Sequence, residues 1–178
     1  MAWTTPGTAT TGDVLTASQW NTDVRDNPSF LYGPPMALAS APGTQAVTTS
    51  TGTKVEFDTE EIDTDGMVDL VGNDDRITIK TAGVYQFGIN CAIEFNASGD
   101  REFYIQKNAT PTRIADAMIR ATAALGSTRV SLVSRPVEMA VNDYVEFLVF
   151  QDSGSTLDIE SFEEAFTFAW ATWLRGPT

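Results

Sequence analysis

Gly83-Val-Tyr-Gln-Phe-Gly-Ile-Asn-Cys-Ala-Ile-Glu-Phe95 decides the fold class. Tyr85, Phe87, Ile89, Cys91, Ile93 and Phe95 hold one parity, while Gln86, Gly88, Asn90 and Glu94 occupy the other. Side chains of a strand alternate between its faces, so six apolar residues at period two describe a long strand with one buried face. Cys91 belongs to that buried row and reads as a core residue rather than a nucleophile. It is the sole cysteine, so no intrachain disulfide framework exists and the fold must rest on packing or assembly.

Outward from this strand the β signal continues from Met36 to the C-terminus. Strands are expected over Met36–Ala41, Thr53–Phe57, Arg76–Lys80, Glu102–Lys107, Arg113–Ile119, Arg129–Met139, Tyr144–Gln151 and Ala165–Leu174. Turn-forming runs separate them: Asp63-Thr-Asp-Gly66, Gly72-Asn-Asp-Asp75, Asn96-Ala-Ser-Gly-Asp100, Val141-Asn-Asp143 and Asp152-Ser-Gly154. The Ala-rich stretch Arg113–Leu125 reads as a strand followed by a loop. Short, regularly spaced strands without a long helical pattern predict an all-β sandwich or barrel.

Residues 1–34 differ. They are Thr-rich and end in Tyr32-Gly-Pro-Pro35, a strong breaker. Thr16-Ala-Ser-Gln-Trp-Asn-Thr-Asp-Val-Arg-Asp-Asn27 reads as one short helix, capped by Thr16 or Ser18 and stopped at Asn27-Pro28. Trp20, Val24, Phe30 and Leu31 form a narrow apolar stripe. So short a helix is unstable alone, which makes the stripe a docking surface and residues 1–34 an attachment arm ahead of a sandwich spanning 35–178.

Charge narrows the function. The 178 residues carry a formal charge of −13 and contain no histidine. That sign repels phosphate backbones and anionic lipid, so no nucleic acid and no membrane are expected as partners. Nine carboxylates and no basic residue lie between Val55 and Asp75, the pattern of a solvated loop and strand face. The N-terminus lacks the basic and apolar regions of a signal peptide, and no run approaches the roughly 20 apolar residues of a membrane span. A soluble protein made in a cytoplasm is expected.

Catalytic chemistry is equally hard to place. Without histidine, Ser-His-Asp and Cys-His arrangements are impossible, and no Gly-rich phosphate loop occurs. A two-carboxylate hydrolase needs an acid in a desolvated pocket, whereas the acids here sit in turn-like runs. Asp63 and Asp65, at i and i+2, are weak calcium candidates, and the rest of a calcium loop is missing. No cofactor is expected, and no enzyme.

Two strands look apolar on both faces. In Phe166-Thr-Phe-Ala-Trp-Ala-Thr-Trp-Leu174, the row Phe166, Phe168, Trp170 and Leu174 is expected to face the core, leaving Ala169, Ala171 and Trp173 outside. In Tyr144–Phe150, Val145, Phe147 and Val149 alternate with Tyr144, Leu148 and Phe150. Strands buried on both faces point to oligomerisation, with Tyr144, Leu148 and Trp173 as the expected subunit contact.

Ile77-Thr-Ile-Lys-Thr-Ala-Gly-Val-Tyr-Gln-Phe87 resembles the strand-turn-strand signature of jelly rolls in complement globular heads and tumour-necrosis-factor-like proteins. There a Gly-x-Tyr-x-Phe motif opens a long strand, here Gly83, Tyr85 and Phe87. Met139-Ala-Val-Asn-Asp-Tyr-Val-Glu-Phe147 is similar to the turn into that family's penultimate long strand, with Asn142-Asp143 where Gly-Asp is usual. The aromatic run Phe162–Leu174 matches its last strand. The resemblance covers about Met36 to Arg175 and implies an antiparallel jelly roll assembled as a homotrimer. A second resemblance joins Gly12-Asp-Val-Leu-Thr-Ala-Ser-Gln-Trp-Asn-Thr-Asp-Val-Arg-Asp-Asn27 to the opening segment of phage tail, fibre and head-decoration proteins. Phe57–Met67, Asn73 and Arg76–Ile79 are similar to sandwich domains found downstream of that opening. It implies a virion protein with no chemistry. The absence of a Gly-x-y stalk departs from complement heads and fits a protein seated directly on capsid or tail.

Three functions follow as expectations. One is a trimeric structural protein anchored to capsid or tail through its arm. Another is a host-adhesion fibre or spike tip that uses loops 58–75, 96–101 and 152–164 on a surface receptor or glycan. The third, a jelly-roll enzyme, would need a carboxylate dyad in a cleft.

Overall fold

The computed structural model describes residues 4–41, 43–109, 112–120, 126–161 and 166–177, with the side chains of 117–120 left aside. The predicted loop 121–125 and the Phe162–Ala165 part of the predicted last strand lie outside the described residues. Thirteen strands are described. The first six are β1 (Met36–Ser40), β2 (Thr44–Val47), β3 (Thr53–Lys54), β4 (Thr59–Asp63), β5 (Arg76–Thr78) and β6 (Gly83–Ile93). The others are β7 (Asp100–Lys107), β8 (Arg113–Arg120), β9 (Thr128–Val133), β10 (Val137–Met139), β11 (Tyr144–Gln151), β12 (Leu157–Glu160) and β13 (Phe168–Arg175).

All pairing is antiparallel. The front sheet is built on β6. One side of β6 pairs β13 and then β12, and the other pairs β9 and β10. From β13 the sheet continues through β1 to β4, and from β12 to β2. The back sheet runs β8-β7-β11 and ends on β3 and β5. The pairs β1/β2 and β12/β13 are each one line of chain, interrupted at the same level. Two backbone bonds bridge that break, Ala41 to Thr167 at 2.9 Å and Ser161 to Gly43 at 3.0 Å. The result is an antiparallel jelly-roll sandwich with a helical N-terminal arm.

β6 carries the alternation its sequence spells. Tyr85, Phe87, Ile89, Cys91 and Ile93 are buried, and Gln86 and Asn90 look outward half-exposed. Phe95 lies past the strand end and is exposed. The core is asymmetric. Phe103 of β7, Phe147 of β11 and Phe57 supply bulk from the back, with Phe57 edge-on to Phe147 at 5.9 Å. In the front sheet β1 and β13 meet through small residues, Ala37 paired with Ala171 and Ala39 with Ala169, all fully buried. Close packing combines such large and small side chains.

This packing overturns the expected parity of the last strand. Ala169, Ala171 and Trp173 face the core, while Phe168 and Trp170 face outward half-buried and Leu174 is exposed. Arg129–Met139 is also not one strand. At the break Ser134 takes a backbone bond to the Phe87 carbonyl at 2.8 Å, and its hydroxyl accepts from the Phe87 N–H at 3.0 Å. Pro136, which has no N–H to give a ladder, follows. Sequence reading missed β2, β4 and β12. β4 (Thr-Glu-Glu-Ile-Asp) is the exposed outer strand of the front sheet, where acidic side chains guard a free edge.

The arm helix starts at the predicted cap. Thr16 accepts from the Gln19 N–H at 3.2 Å and Gln19 answers at the Thr16 N–H at 2.9 Å, a reciprocal capping box. It does not stop at Pro28. Residues 20–26 wind as a wider π-helix and α-winding resumes at Asn27, so Pro28 sits within a continuous helical run just past the change of winding. The helix ends at Gly33.

Candidate interaction surfaces

The outer face of the front sheet carries an apolar band. Register places Val133 of β9 beside Gly88, Gly88 beside Trp170, Trp170 beside Leu38, and Leu38 beside Ile62 of β4. These five positions cross the whole sheet at one level, all on the solvent face. Gly88 is glycine for a reason visible there. A Cβ would come within 2.4–2.5 Å of the Trp170 indole, which lies flat across the strand. Ile62 and Val133, at the two edges, are 40 % and 51 % exposed. Met36 and Phe168 broaden the band at the adjoining levels, and exposed Phe166 packs on Phe168 at 5.9 Å. An apolar band crossing a sheet and facing water marks a contact surface.

Sequence reasoning missed these residues because it gave the bulky row to the core. The signal was present: Ala-Leu-Ala at 37–39 and Ala-Trp-Ala at 169–171 alternate small with large in two adjacent strands. The residues it chose instead sit elsewhere. Trp173 is buried in the core, with Phe30 of the arm standing edge-on against it at 4.8 Å. Tyr144 and Leu148 point from the outer face of the back sheet, where the chain covers its own strand. The Arg76 guanidinium lies 4.5 Å over the Tyr144 ring, and Leu148 is buried beside β3.

Glu146 organises that back face. It is fully buried, yet Lys54 reaches it at 2.6 Å and Gln106 donates to it at 2.9 Å. Lys54 also pairs with Asp75 at 2.6 Å, and Asp75 with Arg76 at 2.7 Å. Burial pushes the Asp75 carboxyl up, but hydrogen bonds from Arg76 and Lys54 outweigh it and hold the group below the usual carboxylate range. A charged mesh thus seals the apolar second face of β11.

Of the predicted docking stripe, Trp20, Val24 and Leu31 are exposed on the arm helix, whereas Phe30 is buried at 3 % exposure. Phe30 therefore anchors the arm to its own sandwich, because Trp173 offers it an apolar ring at the base of β13. The extended residues before the helix fold back on it. Buried Asn27 exchanges two hydrogen bonds with the Thr4 backbone, at 3.1 and 2.8 Å.

Loops 48–52, 94–99 and 152–156 gather at the end of the sandwich opposite the arm. Two buried polar side chains fasten them. Arg101, fully buried, donates to the carbonyls of Asn96, Ser98 and Asp100 at 3.0–3.2 Å. Gln151 donates to the carbonyls of Val47 and Ser155 and accepts from the Ser153 N–H.

The calcium candidates form a backbone turn. Both Asp63 oxygens accept from main-chain N–H groups, of Asp65 at 3.1 Å and of Val68 at 2.8 Å. Among the described residues no three potential ligand side chains converge. Cys91 is fully buried, and desolvation pushes its thiol up to about 12, far from a reactive thiolate. Among the described residues no helix is long and apolar enough to cross a membrane.

Comparison of the chain with family models and with curated protein sequences gives no match. The fold does match solved structures. Murine APRIL at pH 8.0 superposes with a TM-score of 0.55 at 8 % identity, over 78 % of this chain and 98 % of that one. Murine APRIL at pH 5.0 gives 0.56 at 7 % identity with the same coverage. Eiger TNF from S. frugiperda gives 0.55 at 10 % identity, over 81 % of this chain and 94 % of that one. Identities this low carry the fold alone.

Proposed function

We propose that the chain is a non-enzymatic structural protein of a phage virion, made in the host cytoplasm, trimeric through its front sheet and held to capsid or tail by its arm. The outward apolar band from Val133 to Ile62 carries the reading, because a soluble chain keeps such a band only when another surface covers it. Simple geometry favours three copies over four. Five strands at about 4.8 Å give a face about 24 Å wide, and three such faces closed into a prism put the axis about 7 Å from each sheet. Packed sheets lie about 10 Å apart, so side chains fill about 5 Å above each; three copies nearly close on Trp170, while four leave an axis about 12 Å away. Trp20, Val24 and Leu31 remain exposed for a virion partner, and the resemblance of Gly12–Asn27 to phage openings names its class. Neither nucleic acid nor membrane insertion is part of this reading.

Host adhesion is the second reading. It is favoured by the loops that Arg101 and Gln151 hold rigid at the end away from the arm, where a seated particle protein would face a receptor or glycan. The first test is solution mass by light scattering after size exclusion, for the full chain and for Trp170→Asp. A trimer that Trp170→Asp reduces to a folded monomer supports the band as the contact. A wild-type monomer at micromolar concentration removes it.

A further inference from the structure

The two edges of the apolar band carry opposite charge. At the β4 edge, Ile62 is accompanied by Asp58, Glu60 and Glu61, all exposed. At the β9 edge, outward parity gives Arg129, Ser131 and Val133, and exposed Arg135 follows just past the strand end. None of these five charged groups has an ion-pair partner among the described residues. Lys54, Arg76, Lys107 and Arg113, by contrast, are each tied to a carboxylate of their own chain.

We infer that the band is covered by a second copy of this chain placed head to tail, the acidic β4 edge of one subunit meeting the Arg129–Arg135 edge of the next. The inference rests on the proposed self-assembly and adds which edge meets which. A two-fold axis running across the strands would set like edges together and leave the charges unmatched, whereas an axis along the strands sets unlike edges together. A rotation that carries each subunit into the next joins unlike edges at every boundary and closes into a ring. Heights along the strands agree. Ile62 and Val133 lie at the same level of the sheet, so rotation about an axis along the strands brings these two exposed side chains together. Arg129 lies four residues above Val133 on β9, and Glu60 and Asp58 lie above Ile62 on β4, on the same side of the band. Opposite charges here fix the order of subunits and disfavour like-edge encounters.

The test is a charge cycle read by the concentration at which the assembly dissociates, followed by mass photometry on dilution. Arg129→Glu and Glu60→Arg each place like charges at every boundary, and each is expected to dissociate at higher concentration than wild type. Arg129→Glu/Glu60→Arg together restore opposite charge and return dissociation toward the wild-type concentration. Circular dichroism of each variant checks that these exposed changes leave the sandwich folded. Single variants that dissociate like wild type, or a double variant no tighter than the singles, overturn the edge pairing while the trimer stands. A wild-type chain that never associates overturns the assembly reading and this inference with it.

Discussion

Phe30→Ala isolates the joint between arm and sandwich. Phe30 is the buried apolar contact of the helix, 3 % exposed, with its ring edge-on to Trp173 at 4.8 Å and 81°. Burying a phenylalanine side chain contributes about 1.5–3 kcal/mol, and an aromatic pair in this geometry adds about 0.5–1.5 kcal/mol. Truncation is therefore expected to weaken docking by about 2–4 kcal/mol. A helix spanning residues 17–32 is marginal without its tertiary contact, so undocking and melting should coincide. Amide hydrogen exchange reads this directly. Protection over residues 20–33 should fall roughly 30- to 700-fold, since each 1.4 kcal/mol is tenfold, with β6 and β11 little changed. Trp173 fluorescence should shift red as its ring meets water. Trp20→Ala, removing an exposed ring, should leave the exchange pattern intact. If amides 20–33 of Phe30→Ala keep wild-type protection, something other than this ring pair holds the arm, and its anchoring role is refuted.

Two further outcomes follow from buried polar groups. Arg101→Met leaves the carbonyls of Asn96, Ser98 and Asp100 without their shared donor, and should cost about 1–3 kcal/mol in urea unfolding, with faster exchange confined to residues 94–100; an unchanged midpoint would deny the clamp. Acid should destabilise through Asp75 and Asp143. Each is pushed up by burial but held lower overall, Asp75 by hydrogen bonds from Arg76 and Lys54, Asp143 by those from Lys107, Asn108 and the Ala140 N–H. A carboxyl depressed in the folded state stabilises above its unfolded value of about 3.9, and that contribution is lost as pH falls through the folded value. Melting temperature should thus be flat above about pH 5 and drop below about pH 4, with a shallower drop in Asp75→Asn. Equal acid slopes for wild type and variant would show that Asp75 contributes nothing.

The sequence by itself determined the β class, the start of the arm helix and the buried face of β6, because each rests on a local signal. Period-two alternation between apolar and polar residues leaves β6 one way to face, and Thr16 with Gln19 caps a helix within four residues. It also spelled Phe30 as part of an apolar stripe, though not that this residue turns inward while Trp20, Val24 and Leu31 do not. β13 shows what lay beyond local reading. Phe168-Ala-Trp-Ala-Thr-Trp is apolar on both parities, so nothing within the strand selects its inner face. That choice was made by the packed core, where Phe57, Phe103 and Phe147 are buried together with Ala169, Ala171 and Trp173. Trp170 was thereby turned to the outside, and with it the surface on which the proposed function rests. The two charged edges are likewise 67 residues or more apart in the chain and become edges of one face only because β6, β13 and β1 lie between them. Volume and strand order are properties of the packed sheets, and no window of sequence contains them.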